Sequence, residues 1–357
     1  MHINRNQKHA STSFTSSTSL NMSQSLPVVA VASLGGTISM TPSDAAGGVV
    51  PTLDAEQLAR SVPGLPGIAT IRTASLRQLP SASLRYDDLM EALAWAEAQV
   101  REGAAGVVLT QGTDTLEETA FLLDLFWKLP APLIVTGAMR APQAAGADGP
   151  ANLLAAVRTA IDPDSAGRGV LVVMNDTVHY ARWVSKGDSL AVQAFVSHDG
   201  GIAARVVEGR PTFFHAPPVR PAPLARPVRA WPKVALVTAV LGDEGELAEL
   251  AVKAGYEAVV IAAQGAGHVS FGFAGRIGEL TAQVPVVIAS RASAGATASQ
   301  TYGYVGAEID LVRRGAHMSG WLSALKSRLL VSALLASGAG ARDVGEALAN
   351  WSKLTRQ

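Results

Sequence analysis

Four short polar segments carry the side chains most able to do chemistry in this chain. The first is Ser33-Leu34-Gly35-Gly36-Thr37, where paired glycines let the backbone turn closely and deliver the Thr37 hydroxyl straight after an apolar run. The second, Thr110-Gln111-Gly112-Thr113-Asp114-Thr115, gathers hydroxyls and an acid around one glycine and leads into Glu117 and Glu118. The third runs from Gly137-Ala138-Met139-Arg140 to Ala147-Asp148-Gly149-Pro150; the fourth follows Asn175-Asp176-Thr177 and brings Lys186. A hydroxyl becomes a nucleophile when a neighbouring base takes its proton, and a lysine whose pKa is lowered by burial can carry that proton. These residue types therefore suit covalent chemistry on a threonine oxygen.

Each segment also has a plainer use. Asp114 or Thr115 can cap a following helix with Glu117 and Glu118 in its favourable first turn, Asp148 can be scaffold, and a lone lysine is ordinarily solvated. Helix capping accounts for one or two of these residues, but not for Thr, Thr, Asp and Thr around a glycine. Other chemistries are excluded by type. The chain has no Cys, so thiolate nucleophiles, thiolate metal sites and disulfides are absent. Its seven histidines never adopt a tight ligand spacing such as H-x-x-x-H, and neither G-x-G-x-x-G nor a P-loop lysine occurs. No metal and no cofactor is expected.

The elements that must hold these segments are legible from hydrophobic period. Short continuous apolar runs at 28–32, 106–110, 133–137 and 169–176 suit strands covered on both faces, hence a parallel sheet. Between them, 87–99, 116–127 and 152–159 show helical 3–4 spacing. The alternation predicts an α/β fold: a larger N-terminal doubly wound, flavodoxin-like domain, in which ligands bind outside the carboxyl ends of the strands. All four polar segments follow or adjoin such ends. Residues 211–230 hold six prolines and predict a semi-rigid linker between a catalytic domain at 27–210 and a smaller α/β domain at 231–357. In the second domain strands are expected at 233–240, 256–263 and 284–290, and helices at 246–254, 273–281, 323–337 and 341–351. Residues 1–26, rich in Ser and Thr and lacking any acid or apolar period, predict a disordered arm.

Composition narrows the partners. The 357 residues balance 29 basic against 29 acidic side chains, and only 16% are charged. Without a basic cluster, no nucleic-acid surface is expected. No apolar run approaches a membrane span. The nearest approach to an export signal, Leu26 to Ala32, contains Pro27, and cleavage after it would remove the first strand. A cytoplasmic location is therefore expected over a periplasmic or secreted one.

The motifs GGTI at 35–38, TQGTDTLEETAFLL at 110–123, TGAMR at 136–140 with ADGPANL at 147–153, and GVLVVMNDTV at 169–178 resemble, in that order, the bacterial-type L-asparaginase family. These are Thr-dependent amidohydrolases that include glutaminase-asparaginases. The resemblance runs from about Val28 to the last helix, more loosely after residue 210. It implies hydrolysis of the asparagine side-chain amide to aspartate and ammonia through a Thr acyl-enzyme, with some glutaminase activity. Thr37 matches the nucleophile. Thr113 matches the relay threonine, Asp114 the acid that grips the substrate amino group, and Lys186 the lysine that completes the relay. Ser81 matches a serine that holds the substrate carboxylate. Glu308 matches an acid contributed by the neighbouring subunit, and His268 falls near the same interface. A homotetramer of dimers that share active sites is implied. One departure is the lid: some members carry a tyrosine about a dozen residues after the nucleophile, whereas no Tyr lies between Thr37 and Tyr86 here, and Thr52 is the candidate substitute. A tRNA-linked amidotransferase with this core should carry an extra domain and a basic surface, and a non-catalytic descendant should have lost Thr37, Thr113 or Lys186. Neither condition is met.

Overall fold

The chain is described by a computed structural model covering residues 25–43, 48–51 and 54–353. Residues 1–24 of the expected arm, Asp44 to Gly47 of the lid, and Thr52 lie outside the described residues.

Strand β1 (Val28–Ser33) is followed by β2 (Met40–Ser43), which pairs antiparallel with β3 (Gly48–Pro51), then by α1 (Ala55–Arg60) and β4 (Thr70–Ser75). Next α2 (Tyr86–Arg101), β5 (Gly106–Thr110), α3 (Leu116–Phe126), β6 (Leu133–Thr136), α4 (Gly149–Ile161) and β7 (Val170–Met174) alternate as the apolar periods require. The chain then reverses through Asn175 and Asp176, both left-handed at φ 48° and 53°, into β8 (Thr177–Tyr180). Such a turn has the twist of a two-residue hairpin, which Asn and Asp tolerate best after glycine. Short β9 (Ser185–Lys186) pairs with β10 (Phe195–Val196), and β11 (Ala204–Val207) with β12 (Arg210–Phe213). The large sheet has eight strands in the order β12-β11-β8-β7-β6-β5-β1-β4, parallel from β4 to β7 and antiparallel beyond.

Alternation along β1 sorts its side chains between two layers. Ala30 and Ala32 join a core with α2 and α3, while Val29 and Val31 join one with α4. Edge strand β4 is mostly exposed, as a sheet margin can be.

The second domain has a parallel sheet of β13 (Val234–Thr238), β14 (Ala258–Ala263), β15 (Val286–Ser290) and β16 (His317–Met318). Around it lie α5 (Glu246–Lys253), α6 (Phe271–Leu280), α7 (Glu308–Arg313), α8 (Ala324–Ala336) and α9 (Ala341–Trp351). All of α3 but Glu118 is buried, because α8 covers the face that α2 and the sheet leave open. A helix with apolar residues around most of its circumference is stable only when so enclosed. One apolar core therefore runs from α3 through α8 into β13, β14 and β15.

Two sequence expectations shift. The antiparallel extension from β8 to β12 is not anticipated by an all-parallel reading, and Arg210–Phe213 belongs to that sheet, so the extended connector begins only at Phe214.

Candidate active site

The four polar segments close into one block at the carboxyl ends of the parallel strands. Ser33 of β1 lies beside Thr110 of β5, and Thr110 beside Thr136 of β6, so the loops leaving these strands are neighbours by register. Gly36, at φ 89°, lies flat on the second loop: a Cβ there would sit 1.9 Å from the Gly112 nitrogen. Gly35, at φ 104°, lies against the Leu79 backbone two residues before Ser81, where a Cβ would sit 2.4 Å from the Leu79 carbonyl oxygen. Only glycine allows both approaches, and the result is a Thr37 half-buried at the start of a 3-10 turn against the Gly112 loop.

Lys186 enters from the fourth segment. Its Nζ donates to Thr113 Oγ1 at 3.0 Å and to Asp114 Oδ1 at 2.9 Å, so residues more than seventy positions apart form one hydroxyl, ammonium and carboxylate chain. Thr113 is buried, whereas the Asp114 side chain is 69% exposed and open to a cationic partner. The ammonium is set in place by its backbone: Glu117 Oε1 accepts from the Lys186 nitrogen at 3.1 Å. Two residues earlier, the Val184 carbonyl accepts from Nζ of Lys326, a fully buried lysine of α8. Burial pushes Lys326 down to about 8, against the raising influence of the Glu117 carboxylate.

Ser81 is buried in a short 3-10 turn beneath Gly112, whose own Cβ position lies 2.8 Å from Ser81 Oγ, and Thr115 Oγ1 donates to the Ser81 carbonyl at 3.0 Å. Ser81 Oγ, Thr110 Oγ1 and Gln111 Oε1 are buried without a hydrogen-bond partner among the described residues. Orphaned polar atoms are rare in folded proteins, and three of them around one turn mark a place suited to a polar ligand. The third segment is scaffold. Asp148 accepts from the backbone nitrogens of Met139 and Arg140, both at 2.9 Å, and Asn152 ties Gly137 to the Asn175 nitrogen.

Glu308 and His268 lie together elsewhere, on the second domain. Glu308 is wholly buried at the start of α7, and its Oε1 accepts from the nitrogens of Thr301 and Tyr302 at 2.7 and 2.6 Å. Burial alone would raise this carboxyl, but those N–H donors and His268 outweigh it and hold it below the ordinary range. His268 lies 3.3 Å from Glu308 through Nε2 and 3.0 Å from the Tyr304 hydroxyl through Nδ1. Among the described residues no hydrogen bond joins this pair to Thr37, Thr113 or Lys186. Glu117 and Lys326 are the neighbours of the Lys186 strand that sequence reading passes over. The first carries the ordinary signal of a helix first turn, and the second that of a solvated helix lysine. No group of three or more His, Cys, Asp or Glu able to hold a metal occurs among the described residues.

A two-domain α/β protein with a hydrogen-bonded Thr, Lys and Asp group at the carboxyl edge of its larger sheet is the class that fold and site define. Residues 28–219 match the family described as "Asparaginase, N-terminal", and residues 233–348 the "Glutaminase/Asparaginase C-terminal domain". The chain belongs to the asparaginase family. It is 36% identical over 327 residues to a "Probable L-asparaginase" of Deinococcus radiodurans, covering 90% of this chain and 97% of that protein. It is 33% identical over 326 residues to "L-asparaginase 2" of Escherichia coli, covering 87% and 89% of the two chains. The solved structure titled "Probable Cytoplasmic L-asparaginase" from Campylobacter jejuni superposes with a TM-score of 0.81 at 28% identity, over 91% of this chain and 99% of that one.

Proposed function

We propose that this protein hydrolyses the side-chain amide of L-asparagine to L-aspartate and ammonia through a Thr37 acyl-enzyme, with some activity on L-glutamine. The observation that carries this reading is Lys186 Nζ joined to both Thr113 Oγ1 and Asp114 Oδ1, in a loop whose Gly112 abuts the turn that presents Thr37. An amide is a weak electrophile, so the reaction needs an activated nucleophile and donors for the developing oxyanion. Thr37 Oγ attacks the amide carbon as its proton passes to the hydroxyl and lysine relay. The C–N bond then breaks, the relay protonates the leaving nitrogen, and ammonia departs. Water activated through Thr113 and Lys186 attacks the resulting ester, releasing aspartate and restoring the Thr37 hydroxyl.

Asp114, exposed beside the Lys186 contact, offers its carboxylate to the substrate ammonium. Ser81 offers its free Oγ to the α-carboxylate. Glu308 and His268 complete the amine pocket of a neighbouring subunit, in a homotetramer built from dimers that share their sites. Asparagine and glutamine differ by one methylene, worth about 1–3 kcal/mol of discrimination, so activity on both follows from one pocket. The reaction as drawn needs no metal and no cofactor. We assign the protein to the cytoplasm, the location that the name of the Campylobacter jejuni asparaginase gives for that protein.

A coupled ammonia-release assay on asparagine and glutamine tests the activity, beside Thr37→Ala and Lys186→Ala. Loss of turnover in both variants, with a mass increase on the Thr37 peptide after acid quench of the unmodified enzyme, is expected. Full hydrolysis by Thr37→Ala would sink the nucleophile assignment. Light scattering tests the assembly, since a fully active monomer would contradict the shared site.

A further inference from the structure

At the opposite end of β7 from the threonine loops lies a cavity of about 300 Å³, lined by Asp124, Arg168, Arg182, Trp183, His215 and Arg220 among others. β7 enters it at Val170 and leaves for the polar block at Met174, a rise of about 13 Å. The cavity is cationic to a degree that its own acid does not offset. Asp124 is the one carboxylate in its wall, and it is engaged by the Val170 nitrogen at 2.9 Å and by Arg220 Nη2 at 2.7 Å. Three guanidinium groups against one carboxylate leave a formal charge of +2.

Two of those guanidinium groups have no carboxylate within ion-pair range among the described residues. Arg168, 5% exposed, donates to the Tyr180 hydroxyl at 2.6 Å and lies 3.8 Å over the Phe213 ring. Arg182, 7% exposed, donates to the Lys353 carbonyl and lies between the rings of Trp183 and Trp351. Burial lowers Arg182 from its ordinary range; Asp124 counters this and Arg220 adds to it. Arg220 Nε is buried with no partner. Buried charges are ordinarily paired, and in a chain with only 16% charged residues an arginine cluster lining one cavity, two of its members without a carboxylate partner, is not general surface charge.

We propose that this cavity is a binding site for a phosphate group, carried as inorganic phosphate or as a small phosphate monoester. A dianionic phosphate matches the excess of +2, and its oxygens suit the planar, forked donors of arginine. The volume exceeds what a bare phosphate fills and leaves room for a short polar substituent against Trp183 and His215 at the rim. The site is separate from the amide chemistry and does not depend on it.

Calorimetric titration at constant ionic strength, with sodium phosphate and with glycerol 3-phosphate as separate probes, tests the proposal. Saturable binding of at least one probe with a Kd below about 1 mM is expected, and the tighter probe identifies the source. Arg182→Gln should weaken it at least tenfold. Because a buried arginine change can unfold the chain, His215→Glu at the exposed rim provides a second test: it adds a competing carboxylate and should weaken binding several-fold with native folding retained. Phosphate should also protect the Arg168 and Arg182 peptides of the unmodified protein from phenylglyoxal. Heat changes that track chloride equally well, or phosphate affinity unchanged in both variants, would overturn the site.

Discussion

Lys326 should make the folded protein less stable at neutral pH than at pH 10, and replacing it with methionine should remove that difference. Its ordinary pKa of 10.5 falls to about 8 because the side chain is fully buried, with the Val184 carbonyl as its hydrogen-bond acceptor. Below pH 8 the lysine is charged in both folded and unfolded chains, and the fold bears the full cost of burying that charge. Between 8 and 10.5 the unfolded chain binds more protons than the folded one, so unfolding free energy rises with pH through that window. At about 1.4 kcal/mol per pH unit, the gain is about 3 kcal/mol. Lys326→Met keeps the volume and abolishes the titration. It also strands the Val184 carbonyl, at a cost of about 1–3 kcal/mol. Near pH 7 the two effects oppose each other, so variant and parent should differ by no more than about 2 kcal/mol. At pH 10.5 the parent should have gained about 3 kcal/mol relative to the variant. Guanidinium unfolding of both proteins from pH 7 to 10.5 measures this, because groups common to the two cancel in the difference. A difference that stays flat across that range, or moves in the variant's favour as pH rises, would refute the assignment of Lys326 as a buried cation. Since Val184 is two residues from Lys186, kcat should also fall in the variant while KM changes little.

Gly36→Ala should abolish asparagine hydrolysis with little soluble protein recovered, since the new methyl would lie 1.9 Å from the Gly112 backbone; wild-type rates in that variant would disprove the packed turn. Asp124→Ala removes the partner of Arg220 and the acceptor for the Val170 nitrogen, and should destabilise by about 3–5 kcal/mol by denaturant midpoint. Glu308, held below its ordinary value of 4.5, contributes stability that is complete above that value and lost as pH falls through the depressed folded one. Acid denaturation of Glu308→Gln should accordingly show a shallower loss of stability below pH 4.5 than the parent.

Much of this architecture is written locally in the chain. β1, β5, β6 and β7 are continuous apolar runs because both their faces are covered, and the threonine loops stand out because polar residues follow such runs abruptly. β4 escapes that reading because its sequence, TIRTAS, is an exposed edge with no apolar period. β8, β11 and β12 escape it because short antiparallel strands carry neither a long run nor a helical spacing. In the site, Thr37, Thr113, Asp114 and Lys186 are identifiable from residue type and place. The bonds that hold the Lys186 strand in place are not, because Glu117 lies 69 positions away and Lys326 approaches from another domain. The arginine cavity is likewise invisible in one dimension, since its residues are spread from Asp124 to Arg220 and each alone reads as surface.

The apolar core that passes from α3 through α8 into the second sheet makes the smaller domain a splint and not a detachable module. Cut at the proline connector, the first domain would expose the outer face of α3 and lose the lysine that steadies Val184. The resistance of the body to heat can accordingly be engineered along α8 and the second sheet, away from the threonine loops.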